Sequence, residues 1–264
     1  MKLLEKESQI KNGIISAEKK HITGDFAEHG HKFFEMEYII SGSGTYIIDG
    51  REYSLCERRL FLMSPSDFHS IRDCDAEIIN VMFSCDLCDT SSFYRIFAPK
   101  KTAALDFTYE DSVLIEKLLL EIAGSCETEY MIQFLRSALY KCSNLIEHEK
   151  SFSDEYVHTY VQKTIVYILE NFSEGITLRD AARHIKLAPA YLSALFAKET
   201  GTNFKNYLDN IRFEYTMKLL KFTNMPVLAV CSESGFSDYT NFVRRFKDKY
   251  GFTPSEYRKK HKSQ

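Results

Sequence analysis

A helix-turn-helix pattern occurs twice near the C-terminal end of this chain. The first copy runs from Ala181 to Phe196 and the second from Val230 to Phe246. The copies align at an offset of 49 before the turn and 50 after it, so the second turn is one residue longer. Two successive units can place two recognition helices in neighbouring segments of the major groove. The repeat therefore predicts an all-helical C-terminal domain that binds double-stranded DNA, as in a transcription regulator.

The charge of the chain is divided unevenly along its length. The 264 residues carry a formal net charge of −3. From Glu155 onwards, however, there are 17 Lys and Arg residues against 11 Asp and Glu, a net of +6, which leaves −9 for the remainder. A basic C-terminal third on an acidic body is typical of a DNA-binding module joined to a sensory domain.

The cysteines and the apolar runs bear on the cellular compartment. Seven cysteines, an odd number without framework spacing, fit reduced thiols. Cys85 and Cys88 form a CxxC that could be a redox pair or half a zinc site, but no second CxxC follows and buried or incidental thiols are favoured. No apolar run approaches the roughly 18 residues of a membrane span, and the N-terminus lacks a signal-peptide core. We expect a cytoplasmic protein with no membrane partner.

Residues from about Phe33 to Phe83 have the pattern of short strands. Asp49-Gly50 between two β-branched runs is a strong signal for a two-residue hairpin, because both turn positions need a positive φ. The predicted strands include Tyr38–Ile40, Thr45–Ile48, Glu52–Leu55, Leu60–Met63 and Ile78–Phe83. Several short strands at close spacing predict a small barrel or jelly roll over about residues 1–105.

Apolar residues at helical spacing follow the strands. The predicted stripes are Leu114, Leu118 and Ile122; Ile132, Leu135, Leu139, Cys142 and Ile146; and Val157, Val161, Ile165, Ile168 and Leu169. We expect the helical pair over about 110–149 to pack on the barrel or to mediate dimerisation. A short polar linker at 150–154 then separates a first domain, 1–150, from a second domain, 155–264.

Individual positions within the two helix-turn-helix units have steric reasons. Ala182 and Cys231 are small where the two helices of a unit cross. The turn needs a positive φ, which Gly235 adopts readily, whereas Lys186 at the equivalent place would be strained by about 1 kcal/mol. The inward-facing stripe of the recognition helices is Leu192, Leu195, Phe196, Phe242 and Phe246.

The starts of the recognition helices differ, and so do their outward side chains. Ser237 or Asp238 can cap the second helix, whereas Ala188 followed by Pro189 begins the first. We predict DNA contacts from Ala190, Tyr191, Ser193, Ala194 and Lys198 on the first helix and from Tyr239, Thr240, Asn241, Arg244 and Arg245 on the second. Arg244 can bind guanine O6 and N7 with two hydrogen bonds. We expect the second helix to contribute more of the affinity.

Residues 172–258 resemble the DNA-binding domain of the AraC/XylS family of bacterial transcription regulators. The densest matches are Val230–Asp238, Phe242–Lys247 and Gly251–Arg258, with Phe204, Tyr207, Arg212, Leu219 and Leu220 in the helix between the units. The sequence departs from the family pattern at Lys186, Ala188, Ala194 and Cys231. The resemblance implies a ligand-responsive regulator, more often an activator than a repressor, that is a homodimer on operator DNA and works with RNA polymerase. It implies no enzyme, no catalytic residue and no cofactor.

The β-rich segment also contains a group of histidines and a glutamate. His29 and His31 are two residues apart and Glu35 follows four residues later, so all three share one side of an extended strand. With His69 from a later strand, they could hold a divalent metal ion. The spacing resembles the motifs of cupin barrels, and cupin-like sensor domains commonly precede AraC-type DNA-binding domains. The expected fold class is therefore α+β, with a cupin-like barrel, a helical pair and two helix-turn-helix units.

Three interpretations of this group stay open. The residues could be the metal ligands of a cupin enzyme, or a regulatory metal site. The favoured interpretation has no metal and makes the group the polar lining of a pocket for a small-molecule effector. The lining residues would be His29, His31, Glu35, Tyr38, Tyr46 and His69. Family analogy suggests a polyhydroxylated effector such as a sugar, whose binding would favour one arrangement of the two domains.

Overall fold

The computed structural model describes residues 2–4, 14–31, 33–65, 67–84, 87, 90–97, 103–146 and 159–261. They belong to two compact units, one within Lys2–Tyr156 and one within Val157–Gln264. The first contains a sheet with helices and the second, in its described part, is entirely helical, which confirms the α+β class. No helix in the described ranges is long and apolar enough to span a membrane. The polar segment at 150–154 and the CxxC of Cys85 and Cys88 lie outside the described residues.

Seven strands form one sheet in the described part of the first unit. They are β1 (Lys2–Leu4), β2 (Ile15–His31), β3 (Phe34–Ile48), β4 (Arg51–Leu55), β5 (Arg59–Met63), β6 (Phe68–Phe83) and β7 (Ala104–Asp106). The hydrogen-bonded order is β1-β2-β6-β3-β5-β7, with β4 on β3, and every pair is antiparallel except β1 with β2. β3 pairs with β6 along most of its length, while its first half also pairs with β5 and its second half with β4.

The predicted strands are present, but two of them are longer than the pattern indicated. Tyr38–Ile40 and Thr45–Ile48 lie in the single strand β3, which continues through the glycine-containing segment between them. Only the end of β2, with His29 and His31, was predicted, because most of its central side chains are exposed and lack the alternation of a half-buried strand. Asp49 and Gly50 have φ values of 51° and 77°, as the predicted two-residue hairpin requires.

Three helices complete the first unit: α1 (Thr90–Phe97), α2 (Tyr109–Gly124) and α3 (Thr128–Leu145). α2 and α3 pack against each other, and α3 buries the predicted stripe from Ile132 to Cys142. The predicted stripe of α2 is one residue out of phase at Leu114 and Leu118, whereas Ile122 is buried as predicted. Its buried residues are Ser112, Ile115, Leu119 and Ile122. Consecutive leucines at 118–120 give two stripes of equal spacing, so the sequence could not select the one that packs, and Leu114 is 46% exposed.

Seven helices make up the described part of the second unit. They are α4 (Thr159–Asn171), α5 (Leu178–His184), α6 (Pro189–Thr200), α7 (Phe204–Phe222), α8 (Val227–Glu233), α9 (Tyr239–Tyr250) and α10 (Pro254–His261). α5 and α8 each have 7 residues, and α6 and α9 each have 12. The equal lengths confirm the predicted repeat, in which α5 with α6 and α8 with α9 are the two units and α7 links them. α4 buries Val161, Ile165 and Ile168 of its predicted stripe, while Val157 lies outside the described residues.

Candidate nucleic-acid interface and buried polar cluster

Both helix-turn-helix turns have the same hydrogen-bonded geometry. After α5, the amides of Lys186 and Leu187 donate to carbonyl oxygens of that helix at 3.2 and 2.9 Å. After α8, the amides of Gly235 and Phe236 make the equivalent bonds at 2.9 and 3.0 Å. Each pair of bonds is a Schellman motif, which ends a helix on a left-handed residue and redirects the chain. The two recognition helices therefore leave their turns in the same way.

The left-handed residue of each turn is the one predicted, but the surroundings of the two differ. φ is 59° at Lys186 and 81° at Gly235. A Cβ added at Gly235 would lie 2.7 Å from the carbonyl oxygen of Phe172 and 2.8 Å from Nε of Arg212. Lys186 is exposed. The second turn thus needs glycine both for its φ and for its close packing, whereas the first turn tolerates a side chain at the cost of strain.

The caps of the recognition helices are unequal, as predicted. The Asp238 carboxylate accepts a hydrogen bond of 2.9 Å from a first-turn amide of α9. Ala188 at the N-cap of α6 makes no side-chain hydrogen bond, and Pro189 is the first helical residue. The helix before it is well capped, because Thr177 and Asp180 form a reciprocal capping box. In the first helix-turn-helix unit, the start of the recognition helix α6 therefore lacks the side-chain cap that α5 has.

The interior of each helix-turn-helix unit contains the side chains that the sequence predicted to be buried. Ala182 and Cys231 are buried. The recognition helices bury Leu192, Phe196, Phe242 and Phe246, while Leu195 is partly exposed. The predicted inward faces are therefore confirmed, and the remaining side chains of α6 and α9 face outward.

The predicted DNA-contacting residues lie mainly on those outer faces. Eight are exposed: Ala190, Tyr191, Ser193, Ala194, Lys198, Tyr239, Thr240 and Arg244. Asn241 and Arg245 are partly buried. A surface groove beside α6 adds a residue that the sequence did not single out, because Arg179 of α5 lines it together with Ala190 and Ser193. A basic side chain in the first turn of α5 was the available signal for this position.

The two adjacent arginines of α9 have different partners. Arg244 is exposed, donates to Oδ1 of Asn241 at 2.8 Å and lies 3.5 Å from Asp248 on its own helix. Arg245 donates to Oδ2 of Asp209 on α7 at 2.5 Å. The Asp209 side chain is 7% exposed, so this ion pair is largely removed from water. The structure therefore gives Arg245 a contact that holds α9 on α7 and leaves Arg244 directed outward.

A cluster of polar side chains is buried in the sheet of the first unit, with Glu35 at its centre. Nε2 of His31 donates to Oε2 of Glu35 at 3.0 Å, and Nε2 of His69 lies 3.5 Å from the same oxygen. Nδ2 of Asn80 donates to Oε1 of Glu35 at 2.6 Å. All four residues are buried, and none has more than 6% of its surface exposed. The carboxylate is thus contacted from three sides by groups that favour its charged form.

The six residues predicted to line an effector pocket are only partly brought together. His31, Glu35 and His69 meet, and the Tyr46 ring lies 5.8 Å from the His69 ring. The His29 ring packs edge-on against His69 at 4.2 Å, while its Nδ1 faces the carbonyl of Ala27. Tyr38 lies apart from the group, because its hydroxyl donates to Glu116 of α2 at 3.4 Å. As an even-numbered residue between Glu35 and Ile39, Tyr38 points to the opposite face of β3.

Bulges in two strands put the cluster on one face of the sheet. Relative to β6, β3 contains one extra residue between Ile39 and Ser41. β6 in turn contains one extra residue around Asp73, where φ is 49°. An extra residue reverses the alternation of side chains beyond it. The side chains that consequently share a face despite an odd separation are Glu37 with Tyr46 and His69 with Asn80.

Burial and neighbouring groups set the protonation of this cluster. Burial alone would raise the pKa of Glu35, but the hydrogen bond and charge of His31 and the charge of His69 hold it well below its usual range. Burial and the charge of Glu35 raise the pKa of Glu37 to about 7, even though the Tyr46 hydroxyl donates to it at 2.5 Å. Burial lowers the pKa of His69 to about 3. At neutral pH the cluster holds an ionised Glu35 and an uncharged His69 imidazole.

Two members of the cluster were missed by sequence reasoning. Glu37 could have been found from strand alternation, because it lies two residues after Glu35 and shares its face. Asn80 is a polar residue inside the apolar run Ile78–Phe83, and a buried polar side chain is more informative than an exposed apolar one. Neither signal gives the partner, because the partner of Asn80 depends on the register of β3 with β6, and that of Glu37 depends also on the bulge between Ile39 and Ser41.

Both units match known families. Residues 12–75 match the model of an AraC-like ligand binding domain, and residues 181–260 match that of a helix-turn-helix domain. The chain is similar to the uncharacterized HTH-type transcriptional regulator YfiF of Bacillus subtilis, with 26% identity over 251 residues, covering 89% of this chain and 79% of the relative. It is 22% identical over 237 residues to the lactose operon transcription activator of Staphylococcus xylosus, covering 84% and 82% respectively.

A solved structure is also similar. The C-terminal domain of AraT, a response regulator from Geobacillus stearothermophilus, is 28% identical with a TM-score of 0.40, covering 42% of this chain and 92% of that chain. The two family models match part of the sheet-containing unit and most of the helical unit, in the expected order. The chain therefore belongs to the AraC family of transcriptional regulators, with a DNA-binding domain that follows an AraC-like ligand-binding domain.

Proposed function

We propose that this AraC-family regulator contacts operator DNA through the outer faces of α6 and α9. The observation that carries the proposal is the repetition of one geometry, since equal helix lengths and identical turn bonds present two recognition helices with exposed outer faces. The DNA-contacting residues would be nine of the ten predicted from the sequence, because Arg245 instead holds α9 on α7 through Asp209. Of the two helices, α9 has Asn241 and Arg244 for base edges, whereas α6 offers mainly alanines, so α9 would supply more of the specificity.

The roles of the two domains are also part of the proposal. Residues 1–150 would sense the effector and dimerise, and residues 155–264 would bind DNA. The pair α2 and α3 supports dimerisation, because it leaves several large apolar side chains exposed. These are Tyr109, Val113, Leu114, Leu120, Tyr130 and Tyr140. We further propose a cytoplasmic homodimer that activates transcription with RNA polymerase.

The effector class has two candidates. The names of relatives support a sugar: one is the lactose operon activator, and another is the melibiose operon regulatory protein of Escherichia coli, 29% identical over 112 residues. The buried cluster is poorly suited to bind a sugar, because its side chains hydrogen-bond one another and are almost inaccessible to solvent. The same cluster favours a metal-responsive regulator, since three of its side chains converge on a space suited to an ion.

A binding-site selection from random duplex DNA with the full chain tests the DNA-binding proposal. Arg244→Ala should weaken binding to the selected site by about 1–3 kcal/mol and relax the preference at one base pair. Arg51→Ala, which removes an exposed arginine from β4 of the first unit, is the matched control and should leave the affinity unchanged. Failure to select any site, or wild-type binding by Arg244→Ala, would contradict the assignment.

A further inference from the structure

We propose that His31, Glu35 and His69 bind a divalent first-row transition-metal ion, such as Zn²⁺, within the sheet of the first unit. One ligand atom from each of these three buried residues lies within 4.8 Å of the other two. Two imidazoles and one carboxylate are a donor set that proteins use for Zn²⁺ and for non-haem Fe²⁺. Mg²⁺ and Ca²⁺ prefer oxygen ligands, so the two imidazoles favour a transition metal.

The separations of the ligand atoms suit a single ion. Metal–ligand bonds of about 2.0–2.2 Å place the ligand atoms of one site roughly 3–4 Å apart. Oε2 of Glu35 lies 3.0 Å from Nε2 of His31 and 3.5 Å from Nε2 of His69. The third separation, between the two imidazole nitrogens, is at most 4.8 Å, so the histidine side chains would adjust around an ion that replaces the hydrogen bond between His31 and Glu35.

Neighbouring groups already orient two of the ligands. Nδ1 of His31 lies 2.8 Å from the carbonyl oxygen of Phe33, so a proton on Nδ1 leaves Nε2 for a metal ion. The Asn80 amide donates to Oε1 of Glu35. This leaves Oε2, the oxygen that faces both histidines, available to bind the ion. Outer hydrogen bonds of this kind fix the tautomer and the direction of metal ligands.

The third ligand is incompletely hydrogen-bonded without an ion. His69 is 3% exposed, and its Nδ1 has no hydrogen-bond partner among the described residues. Its Nε2 is beyond ordinary hydrogen-bond length from Glu35. Buried polar atoms are rarely left in this state, because the lost contact with water is then uncompensated. Coordination through Nε2 would give that nitrogen a closer partner than Glu35 provides, while Nδ1 would carry the imidazole proton.

An ion at this position would connect three strands. His31 is the last residue of β2, Glu35 lies at the start of β3 and His69 lies at the start of β6. Binding would therefore stabilise the junction of these strands relative to forms in which they separate. A role of the ion in controlling DNA binding rests on the proposed function. Binding of the ion to the cluster does not depend on it.

Metal titration of the full-length protein tests the inference. The chain is stripped with a chelator, exchanged into chelator-free buffer and titrated with Zn²⁺, and with Co²⁺ to record visible absorption. We expect one ion per chain and loss of stoichiometric binding in Glu35→Gln and His69→Gln. Asn80→Ala, which removes the outer hydrogen bond, should lower the affinity about 10–100-fold. His21→Ala is the matched control: this exposed histidine of β2 faces Asp75, outside the cluster, and its loss should leave binding unchanged.

Two results would overturn the inference: substoichiometric Zn²⁺ and Co²⁺ in the wild-type protein, or equal loss in His21→Ala and His69→Gln. Circular dichroism identifies variants that do not fold. If Glu35→Gln or His69→Gln does not fold, the metal site is tested by the affinity of Asn80→Ala for the ion and by the visible spectrum of Co²⁺ in the wild-type protein. Affinity for the selected DNA is measured on the same samples. DNA binding by a protein that takes up no ion refutes the metal site alone, and a bound ion without DNA binding refutes the proposed function alone.

Discussion

Arg245 donates to the buried carboxylate of Asp209 at 2.5 Å and so ties the second recognition helix to the helix that links the two units. The side chain of the preceding residue, Arg244, is 68% exposed and contacts Asp248 one turn along the same helix. Two consecutive arginines that look alike in the sequence therefore differ in environment. One stabilises the domain and the other is available to DNA.

Arg245→Ala should lower the free energy of unfolding by about 1–3 kcal/mol, because Asp209 would keep its buried charge without the hydrogen-bonded partner. Arg244→Ala should change it by less than about 0.5 kcal/mol, as expected for an exposed position. Urea unfolding of residues 155–264, or of the full chain if the fragment does not fold, provides the measurement. Equal destabilisation by the two substitutions would contradict the structural role of Arg245.

Substitutions at the two turns should have opposite effects on stability. Gly235→Ala places a Cβ 2.7 Å from the Phe172 carbonyl and at a positive φ, so it should destabilise the domain by more than about 1 kcal/mol. Lys186→Gly relieves a strained φ of 59° at an exposed position and should stabilise it by up to about 1 kcal/mol. Melting temperatures of both variants test this, and a destabilising Lys186→Gly would show that the lysine side chain makes a contact that outweighs its strain.

The unequal caps of the recognition helices predict a second pair of opposite effects. Ala188→Ser should add a side-chain acceptor at the start of α6 and stabilise the domain by about 0.5–1 kcal/mol. Asp238→Ala removes the existing cap of α9 and should destabilise it by about 0.5–2 kcal/mol. Chemical denaturation of the two variants checks the prediction, which fails if Ala188→Ser has no stabilising effect while the protein keeps its helical content.

Glu37 should make the stability of the first unit depend on pH. Its pKa is raised from 4.5 to about 7 in the folded state by burial and by the charge of Glu35. Between these two values the folded state keeps a proton that the unfolded state has lost, so stability falls as pH rises through about 4.5–7 and levels off above. The slope is at most about 1.4 kcal/mol per pH unit.

Glu37→Gln should remove this contribution. Urea unfolding at pH 5 and pH 8, with a chelator present, should show a smaller loss of stability between the two pH values in the variant than in the wild-type protein. The lowered pKa of His69 acts in the opposite direction below pH 6.5, but it is common to both proteins and cancels in the comparison. Parallel pH profiles would rule out the titration of Glu37 in this range.

Local chemistry in the sequence was sufficient to predict the second unit. The offset of the repeat, the small residues at the helix crossings, the left-handed positions at Lys186 and Gly235 and the missing cap at Ala188 were all confirmed. These features depend on residues within one or two turns of each other, so spacing alone carries them. The phase of α2 was wrong at Leu114 and Leu118 because neighbouring leucines allowed two stripes, and packing against α3 chose between them.

Which side chains meet in the buried cluster depends on the tertiary structure. The prediction that His29, His31 and Glu35 share one extended strand was wrong, because β2 ends at His31 and Glu35 lies in β3, although His31 and Glu35 do meet. Tyr38 lies on the opposite face by alternation alone, which the sequence does indicate.

The sequence could not place Asn80 beside Glu35, because that contact depends on the register of β3 with β6. Nor could it bring Tyr46 and His69 onto the face of Glu35, because that depends on the two bulges. The same holds for Arg245, whose partner Asp209 lies 36 residues earlier. Alternation and helical spacing are local properties, whereas contacts between distant segments depend on register, which is set by the pairing of the whole sheet or helix bundle.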